Sequence, residues 1–138
     1  TDFVDAGADI ITVHVEAEDD TREAVELVRS LGKKAGIAIN PETKIDTIIP
    51  FLDIIDQVIV MSVHPGSAGQ PFIGDSIDRI GKIKALIANR DILLEVDGGI
   101  SSLCSQDCIN AGCDILVAGS SIFNSNNYER SISEIMGS

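Results

Sequence analysis

Five short runs of β-branched and aliphatic residues, each followed by apolar residues at helical spacing and with no hairpin turn between them, constrain this chain more than any other feature. The runs are Ala8 to Val15, Ala35 to Ile39, Val58 to Val63, Ile92 to Val96 and Ile115 to Ala118. Asp20 and Glu23 have the spacing of a capping box, and Ala24, Leu27, Val28 and Leu31 then form a helical stripe that stops at Gly32. Similar stripes follow the later runs: Ile45, Ile48, Ile49 and Leu52 with Pro50 to shorten or bend the helix, then Ile77, Ile80, Ile83, Leu86 and Ile87. A helix is expected over Leu103 to Ala111, and a closing one carries Ile132, Ile135 and Met136. Strands alternating with helices in this way imply an α/β fold with a parallel sheet and right-handed crossovers.

Five units are too few to close a (β/α)8 barrel, which takes roughly 250 residues and eight units, against 138 residues here. A doubly wound five-stranded sheet is the structural rival. Its first strand–helix turn lacks a dinucleotide fingerprint, and no phosphate loop of the Gly-x-x-x-x-Gly-Lys-Ser/Thr type is present.

Chemistry concentrates at Ile92-Leu93-Leu94-Glu95-Val96-Asp97-Gly98-Gly99-Ile100. Residues two apart on a strand share a face, so Glu95 and Asp97 point the same way, with Asp97 at the carboxyl end where α/β proteins bind ligands. Gly98 and Gly99 allow a sharp turn and let a ligand approach the peptide N–H groups. A plain helix cap and turn would also account for an Asp-Gly-Gly sequence.

The formal charge of −12 argues against nucleic acid and anionic membrane surfaces as partners, and no apolar run approaches the roughly 20 residues that span a bilayer. With no leader sequence, a cytoplasmic protein with reduced thiols is expected. Cys104, Cys108 and Cys113 fall within ten residues but lack a fourth ligand nearby, so they read as small core residues rather than a metal site.

Five blocks in order carry a specific resemblance. They are Thr12 to Ala17 (TVHVEA), Gly36 to Thr43 (GIAINPET), Val60 to Ile73 (VMSVHPGSAGQPFI), Glu95 to Ile100 (EVDGGI) and Ala118 to Phe123 (AGSSIF). Together they closely resemble the ribulose-phosphate 3-epimerases, metal-dependent (β/α)8 barrels of the pentose phosphate pathway. These enzymes interconvert ribulose 5-phosphate and xylulose 5-phosphate by two-aspartate proton transfer through a metal-stabilised enediolate.

The resemblance implies that residues 1–138 are strands four to eight of such a barrel, with three N-terminal units absent, and that this chain alone is inactive. It implies Asp97 as a catalytic acid–base residue and as a ligand of a divalent cation such as zinc, iron, manganese or cobalt. The partner aspartate and two metal-binding histidines would belong to the earlier strands. His14 and His64 match no ligand position, and an oriented structural role is expected for His14. Phosphate and substrate binding would fall to Gly66, Ser67, Ala68 and Gly69, to Gly98, Gly99 and Ile100, and to Gly119 and Ser120, with Met61 against the substrate. His64, Ser67 and Ala68 depart from the usual residues of the family, and Ala68 keeps allulose 6-phosphate as an alternative substrate. A non-catalytic phosphate-binding half-barrel or assembly module is the rival function. Uncovered strand faces lead to the expectation of a homo-oligomer.

Overall fold

The computed structural model describes residues 1–17, 20–66 and 69–138. Five strands, β1 (Ile10–His14), β2 (Lys34–Ile39), β3 (Gln57–Met61), β4 (Leu93–Asp97) and β5 (Ile115–Val117), pair in parallel in sequence order. The helices are α1 (Asp2–Asp5), α2 (Thr21–Ser30), α3 (Ser76–Ile87), α4 (Ser105–Asn110), α5 (Ser120–Phe123) and α6 (Tyr128–Met136). Asp20 caps α2 by accepting from the N–H groups of Arg22 and Glu23 at 2.9 and 3.2 Å. This is the parallel α/β sheet that the alternating runs imply, with the strand order of part of a barrel.

One face of the sheet is packed against helices. Ile37, Ile39, Val58, Val60, Leu94 and Val96 are fully buried there with Val25 of α2, Ile80 and Ile83 of α3, and Cys108 of α4. Burying each aliphatic side chain contributes about 1.5–3 kcal/mol, so this layer holds the helices to the sheet. The opposite face is concave and carries the polar groups. Register puts Thr12, Gly36 and Gln57 in one row, His14, Ala38, Ile59 and Glu95 in the next, and Met61, Asp97 and Val117 in the row at the carboxyl ends. A side chain at Gly36 would run into Thr12 and Gln57, which shows how crowded the concave face is at its base.

Two elements differ from the sequence expectation. The second helix is a 3-10 segment, Ile45–Phe51, in which Ile48 is buried but Ile49 is exposed. Pro50 has no N–H to donate and its ring obstructs the regular ladder, so the α-helical spacing is not realised. The fourth helix starts at Ser105 rather than Leu103, and Leu103 is 93% exposed. Cys108 and Cys113 are buried as expected, whereas Cys104 sits half-buried at the cap position of α4.

Candidate active site

Asp97 ends β4, and its neighbourhood is built by contacts between strand ends. The buried Ser62, just past β3, donates its hydroxyl hydrogen to the Gly98 carbonyl at 2.6 Å, while its N–H donates to the Asp97 carbonyl at 2.8 Å. Gly98 and Gly99 have φ values of +126° and +66°, which side chains rarely adopt. An added Cβ at Gly98 would strike Val63, and one at Gly99 would strike the backbone of Gln70 and Phe72. The space beside them is taken by the segment after β3, and that close packing is why no side chain fits. Gly119 differs, with φ −112° and open space where its Cβ would stand.

A cavity of about 180 Å³ forms where these segments meet. Asp97, Gly98, Gly99, Ile100, Gly119, Ser120 and Gly69 line it, so residues from three consecutive strand ends converge on one space. Val63, Gln70 and Val117 complete the lining. Gly66 and Met61 are not part of it, although Met61 pairs with Asp97 across β3 and β4. Ser67 and Ala68 lie outside the described residues. Sequence reasoning named neither Ser62 nor Val63 as a site residue, although both lie in the VMSVHPGSAGQPFI block; it read the strand through Val63, whereas β3 ends at Met61.

Two carboxyls, Asp97 and Glu95, shape the electrostatics of the sheet beside the cavity. Burial pushes Asp97 above the usual carboxylate range. Glu95, one row deeper, is raised first by burial and then by the Asp97 charge, against a lowering hydrogen bond donated by Gln57. Gln57 thus occupies Glu95 and leaves Asp97 as the carboxyl that meets the cavity.

Among the described residues no group of three or more His, Cys, Asp or Glu side chains is gathered to hold a metal ion. His64 pairs instead with Glu42 at 3.1 Å, and His14 lies 3.3 Å from Glu16. These residues do not by themselves fit a metal centre, since Asp97 supplies one ligand where such a centre needs several.

Residues 1–123 match the sequence model described as the ribulose-phosphate 3 epimerase family. The chain belongs to the ribulose-phosphate 3-epimerase family. The ribulose-phosphate 3-epimerase of Bacillus subtilis is 38% identical over 99% of this chain, which covers 64% of that protein. That of Chlamydia trachomatis is 44% identical over 88% of the chain, covering 54% of its own length. The chain therefore spans between half and two thirds of these epimerases. The crystal structure of 3-hexulose-6-phosphate synthase from Salmonella typhimurium superposes with a TM-score of 0.71 at 23% identity, over 97% of this chain and 63% of that one. At that identity the likeness is one of fold, and it is the fold of a partial barrel.

Proposed function

We propose that this chain carries the phosphate-binding, one-carboxylate side of an epimerase site for ribulose 5-phosphate and xylulose 5-phosphate. The observation that carries the reading is the single cavity in which Asp97 meets the glycine-bearing segments of three consecutive strand ends. Peptide groups of Gly69, Gly98, Gly99 and Gly119 form a cradle in which fixed backbone dipoles hold an anion despite the net charge of −12. With the phosphate so anchored, the carbon chain of the sugar extends along the concave face past Asp97.

Carbon 3 of a 2-ketose lies next to the carbonyl, so removing its proton gives an enediolate and returning a proton on the other face inverts the centre. Asp97 is the base on one face. Its raised affinity for protons brings it nearer the working pH, which favours a group that must both take and give a proton. Asp97 alone would offer a divalent cation one ligand, so no step of this proton transfer is assigned to a metal. The opposing acid is not among the described residues of the cavity, so this chain by itself is expected to bind the sugar phosphate without turning it over.

The test is to incubate the purified chain with ribulose 5-phosphate and a divalent metal, follow xylulose 5-phosphate, and measure thermal protection in parallel. Binding raises the unfolding temperature in proportion to ligand concentration. Protection without product supports the reading. Product from this chain alone contradicts the one-carboxylate assignment, and absence of protection contradicts the phosphate cradle.

A further inference from the structure

His14 is on the concave face, in the row that contains Glu95, and its neighbour in space is Glu16 just beyond β1. Glu16 is fixed from several directions. One carboxylate oxygen accepts the Asn40 N–H at 2.7 Å and the Thr43 hydroxyl, while the other lies 3.3 Å from Nδ1 of His14. Arg79 of α3 adds its positive charge and donates Nη2–H to the Asn40 carbonyl at 3.1 Å. Burial pushes the Glu16 carboxyl up, but hydrogen bonds from the Thr43 hydroxyl, from the backbone of Asn40 and of Glu16 itself, and from His14 together outweigh it and hold the group below its ordinary value. Glu16 is thus an anchored anion, and an anchored acceptor dictates what faces it.

An acceptor at Nδ1 requires the hydrogen there, which leaves the lone pair of a neutral imidazole on Nε2. Nε2 has no hydrogen-bond partner among the described residues, and the side chain is 48% exposed. β1 stands three strands from β4, about 14 Å along the sheet at the usual strand spacing, with the concave face between them. We propose that His14, oriented by Glu16, is a specificity-determining residue whose Nε2 accepts a hydrogen bond from a hydroxyl of the sugar chain held on that face. The proposal rests on the sugar-phosphate reading above, and it replaces the purely structural role that the sequence suggested for this histidine. Glu16 is then a positioning residue.

The experiment is a nitrogen NMR titration of the labelled chain at pH 8 with three probes. Inorganic phosphate is expected to move the amides of Gly98 and Gly99 and leave the His14 ring unmoved. Unphosphorylated ribulose is expected to move His14 Nε2 and leave those amides, and ribulose 5-phosphate moves both. In wild type the ring carries its hydrogen on Nδ1, and Glu16→Gln shifts it toward Nε2. His14→Phe weakens ribulose 5-phosphate about tenfold, the worth of one hydrogen bond, with phosphate affinity unchanged. His14→Gln, whose amide oxygen reaches the Nε2 position, restores most of it. A wild-type ring protonated on Nε2, a ring unmoved by both sugars, or an unweakened His14→Phe variant overturns the proposal. Should phosphate leave the glycines unmoved, the cradle is lost, while the response of His14 to ribulose still decides this inference alone.

Discussion

A carboxyl withdrawn from water resists giving up its proton, and two on one strand resist more. Asp97 and Glu95 are both raised by burial, so their stabilising contribution is complete below the ordinary carboxyl range and is lost as pH rises through their folded values. Asp97→Asn is therefore expected to unfold at a higher denaturant concentration than wild type at pH 7, with the gap closing as pH falls toward about 4. Glu16 has the opposite sign. Its lowered value makes the contribution present above the ordinary range and lost on acidification, so Glu16→Gln weakens the fold at pH 7 and converges with wild type in acid. Denaturant titrations of the three proteins at several pH values check both directions, and parallel behaviour of the two variants would contradict them. The shared face of Glu95 and Asp97 was legible from their spacing alone. The anchoring of Glu16 was not, because Asn40, Thr43 and Arg79 are brought to it by separate elements.

At the scale of elements, the turn after β4 is held by the segment after β3, and the glycines of this turn and of the one after β5 serve different ends. Gly98→Ala and Gly99→Ala each place a methyl in occupied space at a positive φ, and each is expected to cost about 1–3 kcal/mol or more in chemical denaturation. Gly119→Ala meets no neighbour, so its stability is expected to change by less than about 1 kcal/mol while its methyl intrudes on the cavity and weakens phosphate binding. Equal stability losses at all three positions would contradict this division. The five strands were readable because buried parallel strands are continuous β-branched runs. The 3-10 segment was not, since its apolar spacing fits a helix and only Pro50 argues otherwise. The start of α4 escaped for a similar reason: Leu103 fits the apolar stripe, yet it stands in solvent.

For the molecule as a whole, the sheet ends in two unpaired edges, β1 and β5, where Ile10 and Val117 are more than a third exposed. A groove of about 420 Å³ beside β5, lined by Leu116, Ala118, Ile122, Ile132 and Met136, extends the uncovered apolar surface. Such edges and patches favour association, whereas a net charge of −12 opposes it. Salt screens the repulsion but not the apolar contact, so the sedimentation coefficient of the chain is expected to rise between about 10 mM and 500 mM salt. A monomer at every salt concentration would contradict that balance. Order along the chain revealed the parallel sheet. The convergence of Gly69, Gly98 and Gly119 did not follow from it without the resemblance, since each glycine reads singly as a turn.

Titration of the labelled chain with inorganic phosphate, read at the backbone amides, addresses the shared cavity most directly. The amides of Gly69, Gly98, Gly99, Gly119 and Ser120 should move together on one saturation curve, and Asp97→Asn should shift that curve to about fivefold lower phosphate by removing a like charge of order 1 kcal/mol. Signals that stay still, or that saturate at separate midpoints, would show that these strand ends do not form one anion site.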